Sequence, residues 1–306
     1  MADYVTEFIH MDILYNGLDF LLYSVLPPVS DEVSEYMEDD MEYIEILPKY
    51  AVLNLAAAVE LILKARLCKE HWSLIFQSPD KASPEALRSG NFTTVNFDTC
   101  IKRLKGIANI SIPQNISNTL YELRAQRNIY QHFRIAITPT ALEAIPLTAR
   151  CLDAVLDIID TWFETGDFYE SSKEAIEILR PRLSSLDRFR EHRLMRLKSR
   201  LANIKTLRCP ICGEETLEAN PINKCLFCHW QKEATAVATM IAIEEEADRE
   251  AREHQLTLFD MPPRPHAKVG CCPRCGSKAL LVRSRYQLST EILSLECYEC
   301  GFMEYE

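Results

Sequence analysis

The sequence predicts a mainly α chain: an N-terminal helical bundle, then a basic helix, then two small cysteine-built modules. Three observations predict this. Glycine is scarce, 8 in 306 residues, and helix formers dominate. Apolar residues recur at three- and four-residue spacing through the first half. Nine of the twelve cysteines lie beyond position 208, mostly in Cys-x-x-Cys pairs.

The elements follow in order. Residues 4–25 read as an apolar helix. The acidic stretch 31–46 reads as part loop and part exposed helix. Residues 48–70 form a strong helix, opened by Pro48, with apolar positions at 52, 55, 59, 62, 63 and 67. Residues 78–96 carry Pro, Ser, Gly and Asn and read as loop. Phe97–Ile107 is a short helix ending near Gly106, and Pro113–Phe133 is a longer one. Residues 138–164 complete the bundle, capped by Thr138 and kinked at Pro146. The organisation is 1–170 helical domain, 171–207 basic helix broken at Pro181, 208–232 first cysteine module, 233–262 helical connector and 268–306 second cysteine module. The Pro-rich segment 261–268 reads as a linker.

Several classes are excluded. No G-x-G-x-x-G or phosphate-binding Gly-rich loop is present. Asp3 and Glu7, with no Lys or Arg before Lys49, do not suit a signal peptide. The apolar run 20–29 is too short for a bilayer and is broken by Pro27 and Pro28. A cytoplasmic chain with no membrane partner is expected. Net charge is −11, but unevenly spread: residues 1–47 hold twelve acids and no Lys or Arg, whereas 173–208 hold eleven Lys or Arg against four acids. The basic segment either packs on the acidic one or faces RNA. Arg188, Arg190, Arg193, Arg196, Lys198 and Arg200 are the candidate nucleic-acid contacts; a solvated helix face is the alternative. Leu186, Phe189, Leu194, Leu197 and Leu201 give that helix an apolar side.

The cysteine modules carry metal-ligand spacing. Cys209 and Cys212 are followed after twelve residues by Cys225 and Cys228; Cys272 and Cys275 are followed after twenty-one by Cys297 and Cys300. Zinc takes four thiolates in a tetrahedron, and each Cys-x-x-Cys knuckle supplies two. Two structural zinc ions per chain are expected, with His229 and Cys271 outside the ligand sets. Closed four-cysteine sites leave no open coordination position. The ribbons are therefore either scaffold or a surface for nucleic acid or protein, using Arg274, Lys278, Arg283, Arg285 and Tyr286. Cys68, Cys100 and Cys151 fall on apolar faces and read as buried thiols.

One segment carries reaction chemistry. Arg127-Asn128-Ile129-Tyr130-Gln131-His132 lies in a helical pattern with Leu120, Leu123, Ile129 and Phe133 as apolar positions. Asn128 and His132 are one turn apart on the same face, and Arg127 flanks them. A guanidinium binds phosphate oxygens in a fork, and an imidazole exchanges protons near neutral pH. Glu60 and Lys64 stand one turn apart on an earlier helix, as a solvated ion pair or as support for the motif.

With these residues in view, positions 5–165 resemble the HEPN superfamily of helical nucleases and nucleotide-binding proteins. AAAVELILKARL followed by CKEHW is similar to that family's second helix, and NFTTVNFDTCIKRLKGI to its intervening segment. Arg127-Asn128-x-x-x-His132 matches its Arg-polar-x-x-x-His motif. The resemblance implies an endoribonuclease that cuts RNA without a catalytic metal, by 2′-hydroxyl attack, leaving 2′,3′-cyclic phosphate ends. Arg127 would bind the scissile phosphate, His132 transfer protons and Asn128 orient either group. It also implies a homodimer or higher assembly, a defence or toxin role, and an inhibitor or activating partner. Arg134 stands where many toxin members carry tyrosine. The alternative is a dimeric nucleic-acid- or nucleotide-binding module without catalysis.

Overall fold

The computed structural model describes residues 2–25, 41–132, 139–162, 167–255, 265–285 and 292–305. Expectations for Pro27, Pro28, residues 31–40, Phe133, Arg134, Thr138, residues 261–264 and Tyr286 lie outside the described residues. Among the described residues the chain is mostly helical, with small antiparallel sheets in its C-terminal part. No helix among the described residues is long and apolar enough to cross a membrane. Two compact units divide it, residues 1–192 and 193–306.

The first unit holds α1 (Ala2–Val25), α2 (Met41–Glu70), α3 (Pro84–Ser89), α4 (Phe97–Gly106), α5 (Gln114–His132), α6 (Pro139–Trp162), α7 (Asp167–Leu183) and the start of α8 (Asp187–Leu201). Helix α2 is the hub: α1 runs along it, and α4, α5 and α6 pack on its other sides. Its apolar stripe, Val52, Leu55, Val59, Ile62, Leu63 and Leu67, is at most 4% exposed. Leu14, Leu18 and Leu21 of α1, Leu120 and Leu123 of α5, and Leu152 and Val155 of α6 are buried too. Each such side chain contributes about 1.5–3 kcal/mol of transfer free energy. Gly17 sets the approach of α1 to α2, since a Cβ there would lie 3.1 Å from the Leu61 Cβ.

Three boundaries differ from expectation. Helix α2 begins at Met41, not Pro48; the proline removes one backbone donor but does not end a run of helix formers on either side. Pro181 lies inside α7, and the break comes at Ser184–Leu186 instead. Within 78–96, a single 3₁₀ turn (Pro79–Lys81) precedes α3. The Ser83 hydroxyl accepts from Ala86 N at 3.1 Å, Pro84 opens the helix, and Gly90 closes it at φ 68°. Those capping signals are present in the sequence and mark a helix only six residues long.

The second unit is built on cysteine knuckles. β1 (Thr206–Leu207) pairs with β2 (Leu217–Glu218), and β3 (Ile222–Lys224) with β4 (Gln231–Glu233). Next comes α9 (Ala234–Gln255). β5 (His266–Gly270), β6 (Leu280–Ser284), β7 (Ile292–Cys297) and β8 (Met303–Tyr305) form one antiparallel sheet in sequential order. The expected hairpin is therefore the centre of a four-stranded sheet. Its edge strand β5 starts inside the segment read as a linker, with Lys268 opposite Val282. The two modules touch. Asn223, wholly buried, donates from Nδ2 to the Tyr298 carbonyl at 2.6 Å.

Candidate active site and metal centres

Helix α5 presents two faces. Leu120, Leu123 and Tyr130 turn into the core, while Arg127 is half-buried and Asn128 and His132 are exposed. Arg127 Nη1 donates to Asn128 Oδ1 at 3.1 Å. Both residues line a cleft of about 310 Å³ with Val59 and Glu60 of α2, Thr94 to Phe97, and Leu120, Leu123 and Arg124 of α5. Thr94 is brought there by a short strand-like pairing, with Gln77 N to Thr93 O at 2.9 Å and Val95 N to Ile75 O at 2.7 Å. Arg103 fixes the other side of that segment by donating to the Leu74, Phe76 and Gln77 carbonyls.

The Glu60–Lys64 pair is not the solvated pair of the first alternative. Lys64 is 7% exposed, and its Nζ donates to Glu60 Oε1 at 2.6 Å and to Thr94 Oγ1 at 2.9 Å. Glu60 and Thr94 both line the cleft, so Lys64 bonds to two of its lining residues. Arg124 is spoken for: its Nη1 donates to Asp98 Oδ2 at 2.6 Å, and its guanidinium carbon lies 5.6 Å from the centroid of the Phe97 ring. That hydrogen bond holds the Asp98 carboxyl below the usual carboxylate range. Arg127 has no carboxylate partner among the described residues. His132 is one turn beyond Asn128 but does not line the cleft. Of the five candidate residues, Arg127, Asn128 and Glu60 line one cleft, Lys64 acts through the lining residues Glu60 and Thr94, and His132 stands outside.

The basic helix is corrected at one position. Arg193 is fully buried; it donates to the Leu226 carbonyl at 3.1 Å and contacts His229 Nε2. It is not presented to a phosphate. The reason was in the spacing: Arg193 is four residues after Phe189 and four before Leu197, within the buried stripe. Arg188 pairs with Glu191, both exposed, and the exposed Arg200 pairs with the half-buried Glu218. Arg190, Arg196 and Lys198 are exposed. In the four-stranded sheet Arg283 is likewise occupied, bonded to Glu245 of α9 and Glu296 of β7. Arg274, Lys278 and Arg285 are exposed.

Each cysteine set meets in space. Cys209, Cys212, Cys225 and Cys228 form one group and Cys272, Cys275, Cys297 and Cys300 the other, with all sulfurs of a group within 4.8 Å of one another. Zn–S bonds of about 2.3 Å in a tetrahedron put sulfurs about 3.8 Å apart. The separations are 3.9 Å for Cys209–Cys228 and 3.7 Å for Cys212–Cys225, Cys272–Cys300 and Cys275–Cys297. The donor sets fit zinc.

All four knuckles share one backbone plan. The residue after the second cysteine donates its N–H to the carbonyl of the first, at 2.9–3.0 Å, from a left-handed conformation. Glycine fills this place at 213, 276 and 301, and His229 at the fourth, with φ 58°. His229 and Cys271 belong to neither set. Burial differs: the first group is wholly buried, whereas Cys275 is exposed and Cys300 half-buried. Cys68, Cys100 and Cys151 are buried thiols, and burial pushes Cys68 and Cys100 up to about 12.

No family model, curated protein or solved structure matches the chain.

Proposed function

We propose that the N-terminal unit is a HEPN-type endoribonuclease, active as a homodimer, with two zinc ions per chain as structural staples. The nucleophile is the RNA's own 2′-hydroxyl. It forms a bond to the neighbouring phosphorus as the bond from phosphorus to the 5′-oxygen breaks. The proton leaving the 2′-oxygen is taken by a histidine, and the departing 5′-oxygen receives one. The products are a 2′,3′-cyclic phosphate and a 5′-hydroxyl, and the step requires no redox partner or bound metal.

In this reading Arg127 spreads two N–H donors across the non-bridging oxygens, where charge grows in the transition state. Asn128 fixes that guanidinium through its carbonyl oxygen, leaving its amide N–H₂ to meet substrate. His132, exposed on the next turn, acts in proton transfer, completed by a second copy across the dimer. The proposed role is a cytoplasmic defence or toxin effector, restrained or triggered by a partner.

The observation that carries the reading is the half-buried Arg127 opening into a polar cleft without a carboxylate partner among the described residues. A half-buried cation without its own carboxylate partner, in a cleft whose one lining carboxylate, Glu60, is already paired with Lys64, suits an anionic ligand. The test is incubation of the full chain with RNA and its all-deoxy analogue in magnesium-free buffer. RNA should be cut and DNA left intact; cutting of both contradicts the reading.

A second reading, nucleotide binding without catalysis, is favoured by the position of His132 outside the cleft. Intact RNA together with a ligand-induced rise in melting temperature on adding a mononucleotide would select it.

A further inference from the structure

The cleft beside Arg127 carries hydrogen-bonding groups from both α2 and α5. Its polar groups can be accounted for one by one. Lys64 Nζ donates to Glu60 Oε1 at 2.6 Å and to Thr94 Oγ1 at 2.9 Å. A hydroxyl that accepts from an ammonium keeps its own hydrogen for another acceptor. Glu60, with a side chain 41% exposed and its charge neutralised by Lys64, still accepts on both oxygens, since Lys64 occupies only one lone pair of Oε1, and a base must therefore bring two N–H donors to satisfy the pair. Asn96 is mostly engaged locally: its Oδ1 accepts from Thr99 N at 2.9 Å and one Nδ2 N–H donates to Gln77 Oε1 at 3.4 Å, leaving a second N–H. The unspent chemistry on the α2 side is thus a carboxylate acceptor beside a hydroxyl donor. On the α5 side it is the Arg127 guanidinium with the Asn128 amide.

Between these lie apolar walls from Val59, Leu120 and Leu123. Arg124, anchored by Asp98 and set against Phe97, adds a guanidinium plane of the kind on which bases stack. A volume of about 310 Å³ is at the small end for ligand pockets and suits one nucleotide, not a strand.

Among the bases, guanine alone offers two adjacent N–H donors, at N1 and N2, next to the O6 acceptor. That edge complements a carboxylate flanked by a hydroxyl donor. Adenine and cytosine would turn a ring-nitrogen lone pair toward the carboxylate, and uracil has one N–H between two carbonyls. We infer that this cleft selects a guanosine 3′-phosphate group, with Glu60 and Thr94 reading the base and Arg127 holding the phosphate. The inference rests on Arg127 as the phosphate anchor of the proposed nuclease. In RNA it makes guanosine the nucleotide on the 5′ side of the cut, with Glu60 as the specificity-determining residue.

The test is calorimetric titration of the full chain with guanosine, adenosine, cytidine and uridine 3′-monophosphates, beside cleavage of an oligonucleotide containing all four bases. Guanosine 3′-monophosphate should bind at least about tenfold more tightly than the others. Glu60→Gln and Thr94→Val should each cut that preference to about threefold or less, while Arg127→Gln weakens all four alike. Melting curves of each variant separate lost recognition from lost fold, and Thr94→Val leaves the Lys64 charge paired with Glu60. Equal binding of the four nucleotides overturns the inference even if RNA is cut. Selective guanosine 3′-monophosphate binding with intact RNA upholds it and removes the nuclease reading.

Discussion

Lys64 Nζ lies 2.6 Å from Glu60 Oε1, one turn back on the same helix, with the lysine side chain 9% exposed and the glutamate 41%. An exposed pair at this spacing contributes a few tenths of a kcal/mol. Burial of the ammonium changes the balance, because its desolvation is offset only while both acceptors remain. Glu60→Gln should therefore lower unfolding free energy by about 1–3 kcal/mol, discounted for the exposure of the carboxylate. Lys64→Met, which removes the charge and keeps the bulk, should cost less. Urea unfolding of both variants measures this; a costlier Lys64→Met refutes the account of the pair.

The His229 conformation sets two effects against each other. A left-handed φ of 58° costs a non-glycine residue about 1–2 kcal/mol, which His229→Gly would relieve. The same change strips the buried Arg193 of its imidazole partner, a charge-assisted contact worth about 1.5–3 kcal/mol. The contact should win, so His229→Gly is expected to destabilise the second unit by about 1 kcal/mol. A stabilised variant in thermal melts would show that backbone strain dominates.

The two four-cysteine centres should not release metal together. The first is wholly buried, and the second exposes Cys275 and part of Cys300. Metal analysis should give two zinc ions per chain, and a chelator should remove them in two phases, the second centre first. Cys275→Ser should abolish the faster phase. A single phase of both ions contradicts the assignment.

Asp98 links the cleft to acid pH. Its folded-state pKa is depressed by the Arg124 hydrogen bond, so its contribution is complete above the ordinary value of about 3.9 and is lost as pH falls through the lowered value. Wild type should exceed Asp98→Asn in stability at neutral pH, and the difference should begin to shrink below about pH 4 and vanish only below the lowered value. An undiminished difference at pH 3 would contradict this.

How much of this was legible beforehand depended on whether the signal was local. Helices α5 and α6 and the cysteine knuckles are written in nearby spacing: apolar periodicity for one, Cys-x-x-Cys pairs for the other. Leu120, Leu123 and the eight ligand cysteines accordingly stand as expected. Arg193 reads as a phosphate contact by its charge, but its place in the Phe189–Leu197 stripe buries it. No local pattern marks Thr94 or Arg124. Their membership of the cleft depends on α2, the Thr94 segment and α5 meeting in space, which no short motif records. β5 was hidden for a related reason, since its pairing with β6 is decided across the fold and its own sequence follows prolines.

Surface charge gives a further check. Arg190 and Arg196 are exposed, whereas Arg193 is buried. If α8 contacts RNA, Arg190→Gln and Arg196→Gln should each reduce the slope of log affinity against log salt by about 1. Arg193→Gln should leave that slope unchanged and lower the melting temperature instead. Filter binding across a salt series decides it.

The central claim concerns Arg127 and His132, and end-group analysis of the cleaved RNA tests it most directly. The account expects 2′,3′-cyclic phosphate and 5′-hydroxyl ends from the wild-type chain, with rates lowered at least about a hundredfold in Arg127→Ala and in His132→Ala. Ends bearing 5′-phosphate, or undiminished cleavage by both variants, would contradict it.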